Sequence, residues 1–265
     1  MVCSLCNIAS ANIRERLLDE FPFEESKEFF GPSPIYEWEN KVIVSSSKEI
    51  VRVTGLDEVF EKVQYVFVST HRAESGIPSL TAHFTGNFGN NSLGGNPHEI
   101  ARYSPSLLKR YFIEINSLRS SINAEYTITL EATHHGPTDL NSPVMFVELG
   151  SSEKQWQDVE TASIISKALV SSIESKKTFD KCAIAVGGTH YSDKFNKAEL
   201  ETEFALGPII PKYALDYLDG SILQQILSKS DQPVKYALLD WKGLGKNKEK
   251  VLKLLDQAGL EQVRL

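Results

Sequence analysis

Cysteine is scarce, with three in 265 residues, and an odd number cannot close into a paired disulfide framework, so Cys3, Cys6 and Cys182 are expected to be reduced thiols. Cys3 and Cys6 have C-x-x-C spacing. A structural zinc would need further ligands nearby in space, and a thioredoxin-like motif should open a helix after a strand, so the pair reads as small buried or half-buried thiols. No stretch approaches the roughly 18 to 20 unbroken apolar residues that a membrane span requires. Met1-Val-Cys-Ser-Leu-Cys-Asn also lacks the basic region of a signal peptide, which makes the cytoplasm the expected location and a membrane partner unexpected. Positive charge is in deficit too: 28 Lys and Arg against 35 Asp and Glu leave a net charge of −7, with no global attraction to nucleic acid. The densest basic cluster is Lys242, Lys246, Lys248, Lys250 and Lys253, and such clusters are ordinarily the solvated face of a helix.

Several catalytic signatures are missing as well. There is no G-x-S-x-G elbow, no H-E-x-x-H, no phosphate-cradling loop with a terminal Lys-Ser/Thr, and no G-x-G-x-x-G after a strand. Serine-triad hydrolysis and dinucleotide chemistry therefore fall in rank.

What is present is an alternation of apolar strands and amphipathic helices. Ser10 to Phe21 reads as a helix with Ser10 as N-cap and Pro22 as stop. Tyr36 to Trp38 and Lys41 to Ser45 read as short strands, and Val63 to His71 as a buried strand that delivers His71 at its end. Ser79 to Pro97 is rich in Gly, Asn, Ser and Thr and reads as a long functional loop carrying His83. Ser104-Pro105 opens a helix with Leu107, Leu108, Tyr111 and Ile115 on its buried stripe. Residues 126–133 alternate as a strand with one apolar face. Val144 to Gly150, Lys181 to Gly188 and Tyr236 to Asp240 are further strands, with helices over Trp156 to Ile173, Ser221 to Leu227 and Asn247 to Ala258. The pattern predicts an α/β fold: a single domain over residues 1–265, with a mixed, mainly parallel sheet flanked by helices.

Glu131-Ala-Thr-His-His-Gly-Pro-Thr138 is the densest concentration of chemistry. A lone histidine is more often a hydrogen-bonded structural residue than a ligand. Here, however, His71, Glu131, His134, His135, Glu148 and His190 all fall at or just beyond expected strand ends, with His83 in the loop beside them. Ligands bind outside the carboxyl ends of strands in such sheets, so five of the six histidines are expected on one rim. Imidazoles and carboxylates without a Ser or Cys nucleophile suit water activation, either by a zinc ion held by neutral imidazoles or by a histidine base unaided by metal.

Seven motifs in order, Val68-Ser-Thr-His71, Pro78 to Gly89, Glu131 to Thr138, Phe146 to Glu153 with Trp156, Gly187-Gly-Thr-His-Tyr191, Pro211-Lys-Tyr-Ala214 and Asp240-Trp-Lys-Gly243, resemble the archaeal and plant type of D-aminoacyl-tRNA deacylase. The resemblance implies a fold of the phosphorylase and peptidyl-tRNA hydrolase-like kind, and hydrolysis of the ester joining a D-amino acid to the terminal ribose of tRNA. It further implies broad side-chain tolerance, zinc as cofactor and tRNA as partner; a monomer is expected. On this reading His134 and His135, with Glu131 or Glu148, activate or orient the water, and His71, His83 and His190 complete a metal or substrate shell. Lys242, Lys246, Lys248 and Lys250 would meet tRNA phosphates, making binding salt-sensitive. Two departures stand out: Thr189 replaces a glycine of the family's Gly-Gly-Gly-His-Tyr, and Pro208 stands where a histidine is expected. The alternatives are a metal-dependent hydrolase of small esters or peptides, and a non-catalytic tRNA- or nucleotide-binding module with structural histidines.

Overall fold

The structure, a computed structural model, describes residues 1–90 and 93–265. In chain order the strands are β1 (Val2–Ser4), β2 (Glu24–Phe30), β3 (Ser33–Trp38), β4 (Lys41–Ser46), β5 (Tyr65–Arg72), β6 (Ser79–His83), β7 (Gly86–Asn87), β8 (Glu99–Ile100), β9 (Thr127–Leu130), β10 (Val144–Ser151), β11 (Lys181–Gly187), β12 (Phe204–Pro211), β13 (Val234–Leu239) and β14 (Glu261–Arg264). The helices are α1 (Ile8–Glu20), α2 (Pro105–Ser117), α3 (Glu153–Trp156), α4 (Val159–Glu174), α5 (Asp193–Glu201), α6 (Gly220–Lys229) and α7 (Lys248–Gln257).

The strands divide into a mixed eight-stranded sheet, β2-β3-β4-β1-β5-β10-β6-β9, a parallel four-stranded sheet, β12-β11-β13-β14, and the small β7-β8 pair. The expected α/β class with mostly parallel pairing and flanking helices holds, but the single expected sheet is split. Helix α2 packs against β6 of the large sheet and β11 and β12 of the small one, and one buried cluster contains Val68, Leu80 and Val147 of the first together with Ile184, Leu206 and Leu238 of the second.

Period-2 alternation assigns the two faces of the large sheet. Val66, Val68, Leu80, Ala82, Leu130, Val147 and Leu149 face the helices in that cluster. The opposite face begins apolar, with Tyr65, Phe67, Val144 and Phe146, and turns polar along β5, β6, β9 and β10, where Ser69, His71, Thr81, His83, Thr129 and Glu148 are all buried. A buried polar face is costly unless its groups find partners, so this face is where function is to be sought.

Local chemistry explains the boundaries and corrects some expected ones. Helix α1 begins at Ile8, capped by Asn7, whose Oδ1 accepts from the Ser10 amide at 3.0 Å; the Ser10 hydroxyl instead accepts from the Ser4 amide at 2.8 Å. The expected helix from Trp156 is α4, which starts at Val159 with Asp158 capping it through the Thr161 amide, and a separate short helix, α3, precedes it. The expected loop Ser79 to Pro97 contains β6 and β7, while residues 91 and 92 lie outside the described residues. Cys3 is buried and Cys6 exposed. Among the described residues no helix is long and apolar enough to cross a membrane.

Candidate active site

The segment that follows β9 joins the two sheets. The Glu131 amide donates to the Ala82 carbonyl at 3.0 Å, the Ala132 amide to the His190 carbonyl at 2.8 Å and the Thr133 amide to the Ile209 carbonyl at 2.9 Å. One stretch of backbone thus fixes β6, the turn after β11 and strand β12 relative to one another. At its far end Gly136 lies so close to Gly94 and Gly95 that an added Cβ would be 2.3 Å from the Gly95 nitrogen. His135 adopts φ 42°, a left-handed conformation that costs a non-glycine residue on the order of 1–3 kcal/mol and persists only where surrounding contacts impose it.

Five histidines and two glutamates converge here, though not on one rim. β6 runs antiparallel to β10, and β9 runs with β6, so their carboxyl ends lie opposite that of β5; His83 pairs with Phe146 and His71 with Gly150 along β10. Glu148 lies inside β10 rather than at its end. The side chains therefore meet across the polar face of the sheet, which corrects the rim expectation. The sixth histidine, His98, is exposed and sits apart beside Tyr217, 6.3 Å between ring centroids.

Glu131 is the hub, 2% exposed. Its Oε2 accepts from His190 Nε2 at 2.8 Å and lies 3.8 Å from His134 Nε2, while its Oε1 makes an ion-pair contact with His71 Nδ1 at 3.1 Å. Burial opposes its charge, yet the His190 and His71 contacts hold its pKa well below the usual carboxylate value. Glu148 Oε2 lies 3.5 Å from the same His71 nitrogen; burial, reinforced by Glu131, raises its pKa to about 7. Burial also works against His71, but the two carboxylates prevail and raise it to about 10, so this ring is a cation.

Three other rings are kept neutral. His83, His134 and His135 each bond through Nδ1 to a backbone carbonyl, that of Phe84 at 3.1 Å, Ala132 at 2.7 Å and Gly136 at 2.7 Å. Carbonyls only accept, so each Nδ1 carries the proton and each Nε2 presents a lone pair. Burial lowers the pKa of all three, His135 to about 3. Their ring centroids are 4.2, 4.8 and 4.4 Å apart, and the buried His83 Nε2 has no hydrogen-bond partner.

Among the described residues three groups have donor atoms close enough to share a cation: His83 with His134 and His135, Glu131 with His134 and His190, and His71 with Glu131 and Glu148. His71, His83 and His190 fall one into each, so they do not form a common set. The all-histidine group fits zinc best, because it offers three imidazoles, one ring nitrogen of each within 4.8 Å of the others, and its carbonyl-bonded Nδ1 atoms fix the tautomer that leaves each Nε2 a free lone pair.

The four candidate tRNA lysines lie around the start of α7, and most are engaged. Lys246 Nζ is 3.2 Å from Asp216 Oδ2, Lys250 Nζ donates to the Leu215 and Asp216 carbonyls at 3.2 and 3.0 Å, and Lys248 sits over the Trp241 ring. Lys242 is exposed.

Sequence reasoning gave no role to three residues that touch the cluster. The Tyr191 hydroxyl is 3.2 Å from His71 Nε2, the Tyr213 hydroxyl bonds His190 Nδ1 at 2.8 Å, and Trp156 Nε1 donates to the His71 carbonyl at 2.9 Å. All three lie in the motifs that carried the resemblance, and that was the only signal for them. Of the two departures, Thr189 is exposed, with its hydroxyl donating to the Tyr191 carbonyl. Pro208 is buried in β12 between the Leu206 and Ile209 pairings, where the ladder to β11 shifts register and a missing amide is tolerated.

A family model described as D-aminoacyl-tRNA deacylase matches residues 59–263. Proteins named D-aminoacyl-tRNA deacylase are similar along most of the chain: one from Pyrococcus furiosus is 34% identical over 97% of this chain and 96% of its own, and one from Thermococcus kodakarensis is 33% identical over the same shares. A third, from Cenarchaeum symbiosum, is 40% identical over 77% of this chain and 78% of its own. A crystal structure of a conserved protein of unknown function superposes with a TM-score of 0.91 at 29% identity, covering 99% of this chain and 93% of that one.

Proposed function

The chain belongs to the D-aminoacyl-tRNA deacylase family, and from that premise we propose that it hydrolyses the ester between a D-amino acid and the terminal ribose of tRNA, with residues 1–265 acting as one unit. The observation that carries this reading is the juxtaposition of three neutral imidazoles, one ring nitrogen of each within 4.8 Å of the others, with a buried carboxylate held charged by two further histidines. An aminoacyl ester is an activated acyl group, so water activation with polar groups for the developing charge is sufficient machinery.

His83, His134 and His135 would hold zinc. When bound, zinc supplies a Lewis acid that polarises the ester carbonyl and acidifies nearby water. His71 and His190 fix the two oxygens of Glu131, and Glu148 helps keep His71 charged. Glu131 takes the proton from the attacking water, whose hydroxyl joins the acyl carbon. That proton then passes from Glu131 to the ribose oxygen as its bond to the acyl carbon breaks, while His190, which donates from Nε2 to the same carboxylate and is 30% exposed, orients it. His134 is 27% exposed, so these two rings are the face offered to substrate. With these partly exposed rings facing the substrate, broad amino-acid tolerance is the expected specificity. Lys242 is free to meet a tRNA phosphate, while Lys246, Lys248 and Lys250 serve chiefly to hold neighbouring segments.

Metal content is the direct test of the zinc assignment. Purified protein should retain zinc through dialysis, and folded His83→Ala or His135→Ala should lose it; zinc retained undiminished by both contradicts the assignment. For the activity, D-aminoacyl-tRNA should be cleaved much faster than the L-form, and equal rates would contradict the reading.

A further inference from the structure

The chain has nine tyrosines, of which three are exposed, Tyr191 at 40%, Tyr213 at 57% and Tyr217 at 52%, and the first two touch the histidine cluster. Tyr213 bonds His190, and the two rings are nearly parallel, 20° apart with centroids at 6.4 Å. Tyr191 stands edge-on to His190 at 4.8 Å. Tyr217 packs on Gly89, where an added Cβ would be 3.2 Å from its ring. Large rings left in water beside a buried reactive cluster are unusual in a protein that could bury them, and a protein surface commonly offers such faces to a planar ligand.

The segment presenting Tyr213 and Tyr217 is fixed before any ligand arrives. Asp216 is held by Lys246 at 3.2 Å and by Asn247 at 3.0 Å, Lys250 ties the Leu215 and Asp216 carbonyls, and the Lys212 amide donates to the Gly188 carbonyl at 2.9 Å. A platform whose position is already set loses little freedom on binding.

If the ester is cleaved at His134 and His190, the terminal ribose sits against them, and its base is one glycosidic bond away. Tyr213, in direct hydrogen bond with His190 and the more exposed of the two rings beside it, is an exposed π face within that reach. We propose that Tyr213, with Tyr191 across the same His190 ring, is the stacking platform for the base of the terminal adenosine, an inference that rests on the deacylase reading. Stacking is indifferent to base-edge pattern and needs no side-chain donors, consistent with an aromatic border. It locates the ribose while leaving the amino-acid moiety on the histidine side.

The test compares two D-alanine esters, 2′(3′)-O-D-alanyl-adenosine and D-alanine methyl ester, in wild type, Tyr213→Ala and Tyr213→Phe. Wild type should prefer the adenosine ester in kcat/KM, and Tyr213→Ala should cut that preference roughly 5- to 100-fold, through KM. Tyr213→Phe, which keeps the ring and loses the hydroxyl, should retain the preference within about twofold. Should Tyr213→Ala not fold, Tyr213→Leu removes the π face while keeping apolar volume. Equal loss on both esters would overturn the platform, because the ring would then act only on His190. A loss that follows amino-acid size, seen by repeating the pair with D-phenylalanine, would equally overturn it. Wild type inactive on both D-alanyl-adenosine and D-aminoacyl-tRNA refutes the deacylase reading itself, whereas active wild type with an unaltered Tyr213→Ala preference refutes only the platform.

Discussion

Glu199→Gln should flatten the pH dependence of stability without touching the histidine cluster. Glu199, in α5, is fully buried; its Oε2 accepts from the Leu206 amide at 2.8 Å, and its Oε1 has no partner. Lys109 is also buried, but its ammonium donates to the Glu199, Thr202 and Phe204 carbonyls at 2.6, 2.8 and 2.6 Å. Burial pushes the Glu199 pKa up to about 8, only partly offset by Lys109 and the Leu206 bond. With the folded pKa raised above the ordinary 4.5, the folded state holds a proton that the unfolded chain gives up. The stabilisation is complete below that ordinary value and is lost as pH rises through about 8. At about 1.4 kcal/mol per pH unit, and allowing for the usual attenuation, the loss across the window is roughly 2 to 5 kcal/mol. Glutamine keeps an acceptor for the Leu206 amide and cannot ionise. Urea unfolding between about pH 5 and pH 8.5 should show wild type losing stability relative to Glu199→Gln as pH rises. Parallel curves across that range would refute the reasoning.

Gly243→Ala places a Cβ 2.6 Å from the Gly188 nitrogen, so it should cost about 1–3 kcal/mol by thermal unfolding and, by shifting the turn that carries His190, lower deacylation about tenfold or more. Because His135 has φ 42°, His135→Val should be about 1–2 kcal/mol less stable than His135→Asn, a residue that tolerates this conformation; equal Tm values would show that the backbone is not strained. Lys242→Glu should raise KM for charged tRNA and lower the salt slope by about 1. Lys246→Ala with Lys250→Ala should instead raise KM through the loosened Tyr213 segment, an effect that persists at high salt.

Apolar runs without interruption made β5, β10, β11 and β13 legible, and Ser104-Pro105 with its buried stripe made α2 so. The missed strands carry the opposite signals: β2 reads Glu-Glu-Ser-Lys-Glu-Phe-Phe and is largely exposed, β12 is broken by Gly207-Pro208, and β14 pairs on one side only. The convergence of His71, His83, His134, His135 and His190 was visible because their motifs cluster polar residues after or within apolar strands. Their arrangement across a sheet face was not, because the antiparallel direction of β6 against β10 is decided by pairing between distant segments. Nor could spacing reveal that His83 groups with His134 and His135, since that grouping depends on which ring nitrogen each backbone carbonyl engages. Tyr213 went unassigned for a similar reason: its relation to His190 exists only once the Lys212–Ala214 turn is docked beside Gly188.

The most direct measurement is the initial rate of D-tyrosyl-tRNA hydrolysis by wild type and by His134→Ala, with the fold of the variant verified by circular dichroism. The account predicts rapid cleavage by wild type and a fall of about 100-fold or more in the variant, since His134 stands in both the all-histidine group and the Glu131 group. A correctly folded His134→Ala that cleaves the substrate at the wild-type rate would contradict it.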